Sequence, residues 1–186
     1  MNPSDLNREL GQMDLFLLDQ VLKNRFENSN RILDAGCGEG RNSYYFIRQG
    51  INIYGVDSDP SAIRMAKMVA RSNRPDLSEN FIEAHLTSLP FPDSFFDTVI
   101  CCSVLHFAEN ETEFQSMFME LSRVLAEKGL FFLRMIDDPE EGIPFSMNEQ
   151  AREFIMSNGF ELLEPYKRVE ENGRFLNVMM LKKIRA

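Results

Sequence analysis

Between Arg31 and Ile136, short apolar runs of strand length alternate with longer stretches whose apolar residues recur at helical spacing, and few folds accept that order. Arg31-Ile32-Leu33-Asp34 reads as a strand ending at a cluster of glycines. A helix carrying Tyr44, Tyr45, Phe46 and Ile47 follows, closed by Gly50. Ile51 to Val56 is the next strand; Asp59 then caps a helix with Pro60 at its first position, and Arg74-Pro75 ends it. Phe81 to Ala84, Phe96 to Cys102 and Leu130 to Ile136 continue the strands, with a helix from about Glu111 to Leu125 between the last two. Strands joined through helices run parallel, so the expected class is α/β: a doubly wound, mostly parallel seven-stranded sheet in three layers. The tail adds a helix from about Met147 to Ser157. Its strands near Phe160–Leu163 and Phe175–Leu181, with a turn at Glu171-Asn172-Gly173 between them, are expected as an antiparallel C-terminal hairpin. At the front, Ser4 and Asp5 can cap one helix bearing Leu6, Leu10, Met13, Leu17 and Val21.

Ligands of such sheets bind outside the carboxyl ends of the strands, so the residues there carry the chemistry. The first end is Asp34-Ala35-Gly36-Cys37-Gly38-Glu39-Gly40. Glycines at every second position let the backbone turn sharply and approach a ligand closely, and a helix start behind them suits an anionic group. A dinucleotide fingerprint would place its third small residue where Arg41 stands, and a large cation there disturbs close packing under a pyrophosphate. The second end is Asp57, whose carboxylate can accept both hydroxyls of an adenosine ribose; as a turn cap it is outdone by Asp59. Together the two ends predict a nucleoside site.

At these residues the chain resembles the class I S-adenosylmethionine-dependent methyltransferases of small-molecule type, with their Rossmann-like fold. Ile32 to Gly40 is similar to their first motif, and Gly55-Val56-Asp57 to their second strand with its acidic end. Leu89-Pro90-Phe91 with Phe96 to Ile100, then Val104-Leu105-His106 and Glu127-Lys128-Gly129-Leu130, resemble the segments that follow, so the likeness covers roughly residues 30 to 136. The resemblance implies S-adenosyl-L-methionine as cofactor. Asp34 and the backbone at Gly36, Cys37 and Gly38 would hold its methionine part, and Asp57 its ribose, with Ser58 beside the adenine. Leu86 would offer its backbone to the adenine, and Ser103 would line the floor by the methionine end. His85 stands where relatives often carry an acidic or amide residue for the adenine's exocyclic amine; a neutral imidazole can accept one such bond.

The expected domain plan is a single methyltransferase domain over 1–186. It comprises an N-terminal helical lid segment (1–28, with Arg8, Gln12, Asp14 and Phe16), a cofactor-binding core (30–136), and a C-terminal helix and strand pair (137–186). A methyl group on a sulfonium is already electrophilic, so the protein's main task is to align the acceptor; His106 is the candidate general base if the acceptor arrives protonated. Arg41 either pairs with the cofactor's carboxylate or anchors the first helix.

Charge and cysteine usage narrow the partners. A net charge of −9 repels a phosphate backbone, so nucleic acid is not expected; the short extra segments leave little surface for a large partner, so a small-molecule methyl acceptor is expected, with a protein acceptor as the alternative. No apolar run reaches the ~20 residues of a membrane span. Three cysteines make no disulfide framework and fit a reducing, cytoplasmic setting, and with only His85 and His106 no metal-ligand spacing arises. Two other readings remain: a protein that binds the cofactor without catalysis, and an NAD-dependent oxidoreductase.

Overall fold

The computed structural model describes residue 5, residues 9–137 and residues 143–184. The chain forms two compact units, Met1–His85 and Leu86–Ala186. Among the described residues no helix is long and apolar enough to cross a membrane.

In the first unit, α1 (Leu15–Leu22) starts where the Asp14 carboxylate accepts hydrogen bonds from the Phe16 and Leu17 amides, at 2.9 and 3.1 Å. The expected single N-terminal helix is therefore interrupted. Gly11 and Gln12 adopt left-handed backbone conformations, and Asp14 starts a new helix behind them. Ser4, Leu6 and Arg8 lie outside the described residues. Three parallel strands follow in the order β3-β2-β1: β1 (Arg31–Ala35), β2 (Asn52–Asp57) and β3 (Phe81–Glu83). Between them run α2 (Ser43–Arg48) and α3 (Pro60–Asn73), both packed on β2. Asp59 caps α3 by accepting from the Ser61 amide at 2.7 Å, with Pro60 in the first turn as expected. Register pairs Asp34 with Gly55 and Asp57 with Glu83, which brings three strand ends level at one edge of this sheet.

In the second unit β4 (Phe96–Cys102) lies parallel to β5 (Leu125–Ile136), and α4 (Glu111–Val124) connects them. The stripe Phe114, Met117, Phe118, Leu121 and Val124 is fully or almost fully buried. Its rings meet those of β5 and the tail, with Phe118 at 5.7 Å from Phe131 and 5.2 Å from Phe160 between centroids. α5 (Glu149–Ser157) leads to β6 (Phe160–Leu162), β7 (Lys167–Glu171) and β8 (Arg174–Lys183). β8 is antiparallel to β5 along one edge and to both β6 and β7 along the other. Among the described residues the tail thus holds three strands where two were expected, making eight in all. The turn at Asn172-Gly173 joins β7 to β8, not β6 to β8. β7 escaped notice because an edge strand exposed on one face and only half-buried on the other carries almost no apolar residue: Lys167-Arg168-Val169-Glu170-Glu171.

Candidate functional site

The first cluster gathers at the ends of β1 and β2. Asp34, next to last in β1, is 1% exposed and accepts from the Ser43 hydroxyl at 2.6 Å. Burial pushes its carboxyl up to about 6, against the Ser43 hydrogen bond and the Arg41 guanidinium, which favour the anion. A carboxyl poised near neutrality and partnered on one oxygen is well placed to receive a cation.

Asp57 closes β2 and holds the glycine loop. Its Oδ2 accepts from the Gly38 amide at 2.8 Å and its Oδ1 from the Asp59 amide at 2.9 Å. A carboxylate has about four lone-pair positions, so two hydroxyls can still be received on this half-buried group. Gly38 has φ +53°, and a Cβ built there would meet nothing within 4 Å, so the loop leaves open space beside Asp57. Ser58 follows, exposed. His85, also exposed, stands just beyond β3, whose end is tied to β2 by the Ala84 amide on the Asp57 carbonyl at 3.0 Å.

Not every backbone group plays the part expected from sequence. The amides of Gly36 and Cys37 both donate to the Val56 carbonyl, at 2.8 and 2.9 Å. α2 has only six residues, and its capping Asn42 accepts from the Asp14 amide at 3.0 Å. The amides of Gly36, Cys37 and Gly38 are thus taken up by Val56 and Asp57 of the neighbouring strand. Arg41 reaches the Gln12 carbonyl at 3.5 Å, a long contact that leans toward the N-terminal segment. Burial, with Asp34 and Asp57 adding to it, pushes the Cys37 thiol far above its ordinary range, so Cys37 contributes volume and backbone.

The loop is seated by Gly55. A Cβ there would lie 2.4 Å from the Phe81 ring and 2.9 Å from the Cys37 sulfur. Gly55→Ala should destabilise the fold by about 1–3 kcal/mol through overpacking, read as a lower midpoint in urea denaturation. An unchanged midpoint would show that Phe81 gives way freely.

The second cluster belongs to the second unit, where Leu86 is buried at its start. Ser103, His106, Arg134, Glu171 and Arg174, with Phe107, Ile136 and Leu176, line a cavity of about 580 Å³. Ser103 has φ +64°, and its amide donates to the Arg134 carbonyl at 2.7 Å, which turns the chain away from β4. Arg134 in turn donates to the Ser103 hydroxyl at 2.6 Å and pairs with Glu171 of β7. His106 is 4% exposed, in a short 3₁₀ turn (Leu105–Phe107), and its Nδ1 is buried without a hydrogen-bond partner. Burial holds its imidazole down at about 4, and the Arg134 and Arg174 guanidiniums add to that. Ser103 and His106 were expected in a site. Arg134, Glu171 and Arg174 were not, although an arginine inside Leu130-Phe131-Phe132-Leu133-Arg134-Met135-Ile136 demands a partner and could have signalled it.

Residues 33–133, just over half of the chain, match the family model described as "Methyltransferase domain". The chain belongs to this methyltransferase family. S-adenosylmethionine is the cofactor that membership implies, and the residues present fit it. The open cradle at Gly38, the buried carboxyl of Asp34 and the diol-ready Asp57 match an aminoacyl chain and a ribose. Among its relatives, this methyltransferase is 28% identical over 117 residues to a ubiquinone biosynthesis O-methyltransferase of Rickettsia typhi, covering 63% of this chain and 45% of that one. It thus spans about half the length of the curated relatives it matches. The PH0226 protein of Pyrococcus horikoshii superposes with a TM-score of 0.72 at 22% identity, covering 89% and 87% of the two chains. Magnesium protoporphyrin IX methyltransferase of Synechocystis, solved with bound SAH, superposes with a TM-score of 0.73 at 18% identity over 98% and 88%. These likenesses show the fold of this methyltransferase: doubly wound, mostly parallel, with antiparallel C-terminal strands.

Proposed function

We propose that this protein transfers the methyl group of S-adenosylmethionine to a small-molecule acceptor by in-line displacement. The observation that carries the reading is the Gly38–Asp57 hydrogen bond, which joins the glycine loop to the acid of the second strand beside the buried Asp34. The cofactor supplies an electrophilic methyl on a sulfonium whose leaving group is a neutral thioether. Asp34 receives its ammonium, and the carbonyls of the loop Gly36-Cys37-Gly38 add acceptors for the same group. Asp57 accepts the ribose hydroxyls, with Ser58 and His85 near the adenine. What remains for the protein is to hold the acceptor lone pair at near-attack distance, which is worth several orders of magnitude in rate.

Calorimetric titration with S-adenosylhomocysteine, with NAD in parallel, tests the reading. Micromolar binding of the first and none of the second is expected. Binding of NAD instead would overturn the cofactor assignment.

His106 serves as general base for an acceptor that arrives protonated. Because its imidazole titrates at about 4, it is neutral and able to accept a proton at every pH above roughly 5. For this group kcat/KM should be flat from about pH 6 to 9, and His106→Ala should lose on the order of 100-fold. A His106→Ala variant with full turnover across that range would remove the role.

A further inference from the structure

We infer that the methyl acceptor is a phenol, its aromatic ring seated against Phe107 and its hydroxyl directed to His106. The inference rests on the methyltransferase reading, with His106 as its base, and adds the chemical class of the acceptor.

The cavity that would hold it belongs to the second unit and measures about 580 Å³, a size common among small-molecule sites. The 3₁₀ turn Leu105–Phe107 treats its three side chains unequally. Leu105 is fully buried, His106 is 4% exposed, and Phe107 is 58% exposed. The turn itself is held by its backbone. The Phe107 amide donates to the Val104 carbonyl at 2.9 Å, the Ala108 amide to the Leu105 carbonyl at 3.2 Å, and the Phe145 amide to the His106 carbonyl at 3.2 Å. Phe107 is thus placed by the turn rather than by packing, and most of it is left uncovered at the cavity wall. Among the described residues the one ring that meets it is His106, with centroids 4.4 Å apart and planes inclined at 51°. Two rings so inclined form a corner. A flat ring entering it can lie offset over one and edge-on to the other, the arrangements aromatic pairs prefer. Ile136 and Leu176 extend the apolar wall. A saturated ring fills the same volume without those ring contacts.

The chemistry at His106 selects the hydroxyl. A carboxylate arrives already deprotonated and needs no base, and neither does a neutral amine. A hydroxyl does need one. With its imidazole held down at about 4, His106 is a weak base, and a phenol, at about 10, lies nearer to it in acidity than any alcohol. Its Nδ1 is enclosed by protein, so Nε2 is the nitrogen that can meet a ligand. In the step, the phenol oxygen bonds to the methyl carbon, and the sulfur–methyl bond breaks with its electron pair kept on sulfur. The phenolic proton passes to Nε2. An aryl methyl ether and S-adenosylhomocysteine result, and the imidazolium returns its proton to water.

Binding and turnover are to be measured separately on the full chain. The chain contains no tryptophan, so Phe107→Trp places a single fluorescent reporter at the corner. Phenol, catechol and 4-methylphenol are titrated without cofactor, by calorimetry into the parent and by fluorescence into Phe107→Trp, beside cyclohexanol, benzyl alcohol and aniline. The same compounds are then offered with S-adenosylmethionine, and S-adenosylhomocysteine release is followed. At least one phenol is expected to bind about tenfold more tightly than cyclohexanol and to quench the tryptophan. Benzyl alcohol, which has the ring without the acidic hydroxyl, is expected to bind and not to turn over. Phe107→Ala should weaken that phenol by about tenfold at an unchanged thermal midpoint and leave cyclohexanol as it was, while Phe107→Tyr should keep the parent's preference. In turnover Phe107→Ala should raise KM for the phenol more than it lowers kcat. Cyclohexanol binding as well as the phenols, no binding by any phenol, or a Phe107→Ala variant with the parent's preference would each overturn the proposal. So would preferred turnover of benzyl alcohol, cyclohexanol or aniline, or phenols that bind yet are never methylated by protein that binds S-adenosylhomocysteine. Loss of the methyltransferase reading looks different: phenols bind and respond to Phe107→Ala, but S-adenosylhomocysteine neither binds nor forms.

Discussion

Asp57→Ala is expected to weaken S-adenosylhomocysteine binding by about two to three orders of magnitude, the largest effect of any single substitution in this chain. Two losses combine in it. The first is direct: hydrogen bonds to an ionised acceptor contribute about 1.5–3 kcal/mol each, and the ribose would lose both. The second is indirect, since Asp57 Oδ2 also accepts from the Gly38 amide and Oδ1 from the Asp59 amide. With those gone, the glycine loop loses its tie to the second strand before any ligand arrives. Asp57→Asn separates the two, because its single carbonyl oxygen can keep the loop amide while the ribose loses the charge, and about tenfold weakening is expected. Calorimetry reads both variants. Parent-like affinity in Asp57→Ala would remove Asp57 from the cofactor site.

Asp34→Asn is expected to act on stability and on binding in opposite directions. Burial raises this carboxyl from 3.8 to about 6, so at neutral pH the folded protein holds an ionised group it would rather protonate. That gap corresponds to roughly 3 kcal/mol of lost stability. The sign follows from proton counting. Between pH 3.8 and 6 the folded state binds the extra proton, so this contribution favours folding at low pH and is lost as pH rises through about 6. An amide can still accept from the Ser43 hydroxyl without the buried charge, so the variant should melt several degrees higher at pH 7.5. It should also bind S-adenosylhomocysteine about tenfold to a hundredfold more weakly, because the ammonium loses its counter-charge. A variant less stable than its parent would show that burial is not what Asp34 costs; undiminished binding would show that Asp34 does not face the ligand.

His106 provides a check on the same experiment. Its folded value of about 4 lies below the ordinary 6.5, so its contribution is complete above 6.5 and is lost as pH falls toward 4. In the parent the two groups pull against each other across nearly the same window. In Asp34→Asn only the histidine of this pair remains, so stability should fall more steeply on acidification than in the parent.

The strand ends were legible because their chemistry is local. Asp34, the glycines and Asp57 sit where an apolar run stops, and strand register then levels them. What the backbone amides do was not legible. Gly36 and Cys37 donate to Val56, a partner on the next strand, and spacing carries no mark of that. The polar half of the second cavity was hidden by sequence distance: Arg134 closes on Ser103 and on Glu171 across 31 and 37 residues. The N-terminal helix failed for a different reason. Leu10, Met13 and Leu17 keep helical spacing across a break that only the left-handed backbone of Gly11 and Gln12 reveals.

The position of β8 bears on synthesis as well as on shape. It leaves the ribosome after β6 and β7, yet it lies between them and β5. Until β8 emerges, β5 lacks its antiparallel neighbour, and β6 and β7 have no strand to pair with. Its final residue also lends Lys183 Nζ to the Ser122 and Leu125 carbonyls at the end of α4. The sheet of the second unit therefore waits for one late strand. The nascent chain is most exposed to aggregation and to chaperone capture in that interval, and slower translation would lengthen it.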